Sequence, residues 1–280
     1  MKNAHEFRLC LISVICCLLT AASALGQSRD AIEAQSGRSF LKDLLKDERD
    51  LWTSPLKRKS YSSHTLKKYV VPFALLSGTL IATDKKSATV LPNTSDQRKW
   101  SGRISQIGAS YTLAGVSGGT YLLGKVSKNK HVEETGWLAL NAFAHTQVVT
   151  FAVKELTNRA RPPKEERRAG FWKGGNSFPS GHASTTFAVA TVFAYEYRKN
   201  AAVPILSYTV ASVVSASRVS AQRHWVSDIV VGGSTGFLIG RHIFKRHHDP
   251  TLSGSDAPPA NRLLPEVAVS ANSLSMEWQF

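Results

Sequence analysis

Three short blocks in the second half of the chain hold residues that could act together. Lys154 precedes Arg161-Pro162 with six residues between them. Pro179-Ser180-Gly181-His182 follows, and then Ser217-Arg218 leads to His224 and Asp228. Lys154, Arg161 and Arg218 are fixed cations. Arginine offers planar, bidentate donors to a tetrahedral oxyanion, and lysine offers a point charge. Ser180 and Gly181 stand at a predicted helix start, where free N–H groups and the helix dipole favour an anion. Glycine there lets the backbone approach closely. His224, if neutral and correctly oriented, can attack phosphorus. Asp228 is one helical turn further on and can accept the Nδ1 proton, leaving Nε2 free. His182 is then the candidate general acid for the leaving oxygen, and afterwards the base for water. The cations can neutralise the charge that redistributes in the transition state, so this chemistry calls for no metal ion and no cofactor.

The elements that must carry these blocks are legible from charge. Six stretches free of charge alternate with charged connections: Tyr69–Thr83, Ile104–Gly124, Thr135–Val153, Gly174–Tyr195, Asn200–Ser217 and Ile229–Gly240. Most exceed a strand's usual length and lack strand-like alternation. The pattern predicts an all-α fold, a bundle of about six core helices. In an antiparallel bundle the end of the third helix, the start of the fourth, the end of the fifth and the start of the sixth share one pole. The blocks sit at those four places, so they converge without further assumption.

The rest of the 280-residue chain is read as appendages. Lys2 and Arg8, the apolar run Leu9–Leu19 and Ala22-Ser23-Ala24 predict a secretory signal peptide over 1–24. All three cysteines, Cys10, Cys16 and Cys17, fall inside it. The remainder therefore has no disulfide framework, thiolate nucleophile or Cys-ligated metal. Residues 25–64 form a leader in which Phe40, Leu41, Leu44, Leu45 and Trp52 predict an amphipathic helix, capped by Ser39 and stopped by Pro55. It packs on its own domain or lies on a membrane surface. The catalytic domain is expected over 65–248. Residues 249–280 begin as a Pro/Ser/Asp/Gly linker and end in two β-prone runs, Glu266–Val269 and Leu274–Phe280, which predict a terminal hairpin. The net charge of +15 attracts phosphates, nucleic acid and anionic lipid alike. The stretches are short or polar for bilayer spans, with Asn141, His145 and Gln147 inside one of them, which favours a soluble exported domain over an integral one.

The ordered blocks K-x6-R-P, P-S-G-H and S-R-x5-H-x3-D resemble the signature of the type 2 phosphatidic-acid-phosphatase and vanadium-haloperoxidase superfamily. All three are complete, and the resemblance covers roughly residues 65–245. It implies an all-helical phosphatase domain with a phosphohistidine formed on His224 and with His182 as acid and base. It also implies Lys154, Arg161, Ser180, Gly181 and Arg218 as phosphate ligands. The partner is then a phosphomonoester or lipid phosphate rather than nucleic acid. Vanadate-dependent haloperoxidation and a non-catalytic phosphate- or headgroup-binding envelope module are the alternatives. Any one block alone reads as a helix cap, a turn or a surface pair. His145 reads as a core histidine. His242, His247 and His248 read as part of a basic helix end. The loop Pro163–Ser177 is either a rim facing substrate or an exposed connection.

Overall fold

A computed structural model describes residues 45–53, 66–90, 94–162 and 170–252, together with the backbone of 266–270 and 273–277. The chain divides into two units, Met1–Ser60 and Tyr61–Phe280. The expected signal peptide, most of the expected leader, loop residues 163–169 and the linker beyond 252 lie outside the described residues. Within the first unit, residues 45–53 are helical, and the Trp52 indole donates to Glu48 one turn back (3.0 Å). Ser39 and Pro55, its expected limits, also lie outside the described residues.

The second unit is helical throughout its core. A π-helical turn, Leu66–Val70, leads into α1 (Val71–Val90). Then come α2 (Ser95–Ser105), α3 (Ser110–Val126) and α4 (Lys130–Thr157). The bundle closes with α5 (Gly181–Glu196), α6 (Ala202–Ser220) and α7 (Val226–His247). A two-stranded antiparallel hairpin follows, β1 (Glu266–Ser270) paired with β2 (Ser273–Glu277) in the register Glu266↔Glu277 to Ser270↔Ser273.

Six of the seven helices correspond to the charge-free stretches. The exception is α2, whose Asp, Gln, Lys and two Arg residues resemble a solvated connection. Local capping makes it a helix: Thr94 Oγ1 accepts from the Gln97 amide (3.2 Å), and Asp96 lies in the first turn. Its polar side chains then grip the end of α6. Gln97 Nε2 donates to the Ser220 carbonyl and Ser101 Oγ to Ser220 Oγ (3.1 and 2.8 Å).

Helix α5 is the central strut, with twelve of its sixteen residues buried. It packs against α4, α6 and, most extensively, α7. The α5–α7 contact is set by small residues. Gly232, Gly236 and Gly240 recur every four residues and so form one stripe along α7. A Cβ at Gly236 would lie 1.9 Å from the Ser184 carbonyl oxygen, and one at Gly240 2.4 Å from that of Ala188. The two backbones therefore meet directly. Hydroxyls inside this core close onto their own helix: Ser184, Thr186 and Thr191 donate to the carbonyls of Ser180, His182 and Phe187 (2.7–2.9 Å).

The outer faces are apolar. Val116, Leu122 and Leu123 on α3 are exposed, as are Ile205, Leu206, Val210 and Val213 on α6. Helix α6 has a mean hydropathy of 1.3 and is 28% buried. Among the described residues it alone is long and apolar enough to cross a membrane by length and composition.

The stripe gives a direct test. Gly236→Ala must push α7 off α5 and should cost about 1–3 kcal/mol. Gly118→Ala on α3, where a Cβ meets nothing within 4 Å, should be neutral or stabilising by up to about 1 kcal/mol. Denaturant titration of both variants measures the difference.

Candidate active site

The end of α4 is shaped to place two arginines. Asn158 adopts a left-handed conformation (φ 41°) as the C-cap, and its amide donates to the Lys154 carbonyl. The returning loop is sewn to this turn. The Lys173 and Gly175 amides donate to the Asn158 carbonyl (3.0 and 3.2 Å), and the Ser177 amide donates to that of Arg159 (2.9 Å). Arg159 points inward and is 4% exposed. Arg161 stays half-buried, its Nε donating to Asn176 Oδ1 (3.1 Å). Lys154 Nζ donates to the Asn176 carbonyl (2.5 Å).

Ser180 is the N-cap of α5 and is fully buried. Its hydroxyl accepts weakly from the Ala183 amide (3.5 Å), and its own N–H is taken by the Asp228 carbonyl (3.0 Å). The first-turn amides of Gly181 and His182, which have no intrahelical acceptor, are therefore the donors this helix start turns outward. A Cβ at Gly181 would sit 3.9 Å from Lys154 Cε, so the glycine lies against the lysine side chain.

Asp228 occupies the N3 position of α7, where a carboxylate is favoured. Its Oδ2 accepts from the Trp225 amide (2.9 Å) and the Ser177 hydroxyl (2.5 Å). Its Oδ1 pairs with Arg159 Nη1 (2.5 Å). The same guanidinium donates through Nη1 to Ser227 Oγ (2.6 Å) and through Nη2 to Asp84 Oδ2 (2.7 Å). Asp84 comes from α1 and also accepts from the Ser227 amide (3.1 Å) and hydroxyl (2.5 Å). Asp84, Arg159 and Asp228 are 2%, 4% and 0% exposed, so this is a buried ion chain. Phe171, Phe178 and Trp225 enclose the guanidinium at 4.6, 5.8 and 5.5 Å from their ring centres.

His224 leans on this chain, but not in the manner its spacing suggests. Nδ1 lies 2.8 Å from the Ser177 carbonyl oxygen and 3.4 Å from Asp228 Oδ2. A carbonyl only accepts, so Nδ1 carries the proton and gives it to Ser177. Asp228 acts across the longer gap and also through the Ser177 hydroxyl. The outcome for the ring is the same: Nε2 is the unprotonated nitrogen. Burial, with Lys154 and Arg218 nearby and Asp228 opposing, lowers the His224 pKa to about 4. For Asp228, burial pushes upward. The nearby His224 ring, the Arg159 guanidinium and the Ser177 hydroxyl outweigh it and hold the carboxyl below its ordinary range.

The remaining groups gather around the same point. His182 feels, after burial, the charges of Arg218, His224, Lys154 and Arg161, and its pKa falls to about 3. Lys154 is lowered to about 8, chiefly by burial and then by Arg161. Arg218 is steadied by α2 through Ser105 Oγ (3.0 Å), while its buried Nε has no hydrogen-bond partner. Arg223 is exposed yet close enough to Arg161 and Arg218 to act on both. Four cations with unspent donors around two neutral imidazoles can hold a multiply charged oxyanion and present a ring nitrogen to it.

Asp84, Arg159, Ser177 and Arg223 are the participants that sequence reasoning missed. Arg159 lies inside the K-x6-R-P block and Arg223 abuts His224, so adjacency was the available signal for both. Asp84, in Thr83-Asp84-Lys85-Lys86, offers none. His145 is fully buried in α4. In the loop, Phe171 packs edge-on against Phe178 (5.4 Å), whereas Trp172 is 76% exposed.

Residues 135–251, a segment that contains all three motif blocks, match the model of the PAP2 superfamily. A lipid A 1-phosphatase of Porphyromonas gingivalis is 46% identical over 66 residues, 23% of this chain and 15% of that protein. A PA-phosphatase related-family protein of Dictyostelium discoideum is 28% identical over 178 residues, 56% of this chain and 65% of the other. The chain thus spans less than two thirds of the length of either relative. Among solved structures, the first transmembrane PAP2 type phosphatidylglycerolphosphate phosphatase, from Bacillus subtilis, has a TM-score of 0.47 at 21% identity, over 64% of this chain and 97% of that one. Aquifex aeolicus LpxE has a TM-score of 0.44 at 19% identity, over 55% and 88%. Asp84 lies outside the segment matched by the family model.

Removing the middle of the ion chain strands two buried carboxylates. Arg159→Met should therefore destabilise the fold by about 3–5 kcal/mol, whereas Arg223→Met at the exposed rim should leave stability unchanged. Chemical denaturation of the two variants checks this.

Proposed function

We propose that the chain is a phosphomonoester hydrolase that transfers a phosphoryl group to His224 and then to water, with no metal ion taking part in the reaction. The carrying observation is the His224 ring, neutral and held by the Ser177 carbonyl so that Nε2 is unprotonated beside Lys154, Arg161 and Arg218. The cations and the α5 amides bind the phosphoryl oxygens. Nε2 attacks phosphorus, the N–P bond forms and the P–O bond to the leaving group breaks. His182 gives that oxygen its proton. Water then gives a proton to His182 and attacks phosphorus, the N–P bond breaks, and inorganic phosphate leaves with His224 neutral again.

In the free site burial, and after it the surrounding cations, keep His182 unprotonated. A bound phosphate reverses that field, so the substrate itself charges the acid it needs.

Lipid-borne phosphate is the preferred substrate class. The exposed Trp172 at the rim, the apolar faces of α3 and α6, and the names carried by the two relatives support this reading. The same apolar faces favour membrane association over the freely soluble state that polarity alone suggests. Residues 1–24 act as an export signal, which puts the site in the cell envelope. The domain limits follow the sequence reading: a leader over 25–64, the catalytic domain over 65–248, and a tail over 249–280.

The test is turnover of p-nitrophenyl phosphate and phosphatidate in detergent with EDTA present. Activity should persist, and His224→Ala should lower it at least ~1,000-fold. The kcat/KM profile should fall below about pH 4 as His224 gains a proton and above about pH 8 as Lys154 loses one. Lys154→Arg should move only the alkaline limb, upward. Turnover lost to EDTA while the helical circular dichroism is unchanged, an active His224→Ala variant, or halide oxidation after vanadate loading in place of hydrolysis would overturn the proposal.

A further inference from the structure

At the other pole of the bundle, three acidic or imidazole side chains from three helices meet below the surface. Glu134 lies in the second turn of α4, Glu196 is the last residue of α5, and His248 follows the last residue of α7. Their ligand atoms all lie within 4.8 Å of one another. His248 Nδ1 is 3.1 Å from Glu196 Oε1 and 3.5 Å from Glu134 Oε1. The side chains of Glu134, Glu196 and His248 are 9%, 0% and 9% exposed.

We propose that Glu134, Glu196 and His248 bind a divalent transition-metal ion, zinc, in a structural site separate from the phosphate site.

Three features carry this inference. First, the spacing fits. Zinc bonds to nitrogen and oxygen ligands are about 2.0–2.2 Å, so the edge of a tetrahedron around the ion is roughly 3.3–3.5 Å, close to the two His248–carboxylate separations. Second, a ligand atom is unspent. Glu134 Oε2 is buried with no hydrogen-bond partner, although Oε1 of the same carboxylate accepts from the Asp249 amide (2.5 Å). Two carboxylates buried side by side repel, and a bound cation removes that cost. Third, the ligands are held from outside. His131 Nε2 engages Glu196 Oε2 (2.8 Å), leaving Oε1 to the site. The His131 ring packs against Tyr197 (4.8 Å between ring centres), and the His248 ring stacks on Phe244 (4.3 Å). Such outer contacts orient metal ligands. The mix of carboxylate and imidazole suits zinc better than calcium or magnesium, which prefer all-oxygen shells.

Distance keeps the site apart from the chemistry. Glu134 and Lys154 are twenty residues apart on one helix, which at 1.5 Å per residue is about 30 Å. A metal here ties the start of α4 to the ends of α5 and α7, the helices that carry the phosphate site at their opposite tips.

The test uses the full chain in detergent, stripped with EDTA and dialysed, then titrated with zinc against a chromophoric chelator. Zinc per chain is counted by elemental analysis. The inference predicts one zinc per chain and a melting temperature raised by several degrees by zinc but not by magnesium. Glu134→Gln and His248→Gln should each weaken zinc binding at least tenfold while keeping the wild-type helical circular dichroism. Substoichiometric zinc on the wild type, or wild-type affinity in both variants, would overturn it. The wild-type count decides the question if a variant does not fold. None of these readouts depends on turnover, so the result stands or falls apart from the proposed hydrolysis.

Discussion

The structure depends on one guanidinium. Arg159 lies between Asp84 and Asp228 where almost no water reaches, and these two carboxylates come from distant parts of the chain. Three charges in such a place are tolerated because each faces an opposite charge, even though Arg159 Nε itself has no hydrogen-bond partner. The carboxylates share the guanidinium, Ser227 serves Asp84 through amide and hydroxyl, and the Trp225 amide and Ser177 hydroxyl serve Asp228. The chain therefore fixes α1, the loop after α4 and the start of α7 with respect to one another. His224 is fixed as a consequence, since Ser177 bonds both its Nδ1 and the carboxylate beside it.

Backbone proximity gives this chain its place. The glycine stripe on α7 lets α5 approach until the Ser180 amide donates to the Asp228 carbonyl, so the two helix starts that carry His182 and Asp228 are joined by a main-chain bond. A Cβ at Gly232 or Gly236 would collide with the Ser180 or Ser184 carbonyl oxygen and push the two helices apart. The core accordingly relies on small residues and internally bonded hydroxyls. Large apolar side chains lie on the outer faces of α3 and α6.

The sequence revealed groups whose function requires a particular residue type at a particular spacing. Lys154, Arg161, His182, Arg218, His224 and Asp228 all stand at helix ends, and an antiparallel bundle brings such ends together. The all-helical class and six of the seven core helices were legible for the same reason, because their charge-free stretches are long. Helix α2 was not legible, because its stability comes from the Thr94 cap and from contacts with Ser220 rather than from an apolar stripe. Asp84 sits beside two lysines and looks like a solvated helix end. Only the fold shows that it faces Arg159. Ser177 was hidden for another reason: it acts largely through its carbonyl, which every residue possesses. The Asp228–His224 spacing suggested a direct bond, whereas the structure routes the Nδ1 proton to Ser177 and leaves the carboxylate at 3.4 Å.

This buried network holds His224 neutral with its proton on Nδ1. Nitrogen-15 NMR of the histidine-labelled protein, with the His224 signals assigned by substitution, measures that state directly as a function of pH. Such a network gives a single Nδ1–H tautomer from about pH 5 upward, with protonation only near pH 4. Asp84→Asn, which weakens the far end of the ion chain, should broaden the tautomer population without touching the ring. A His224 imidazolium at pH 7, or a ring protonated on Nε2, would contradict this assignment.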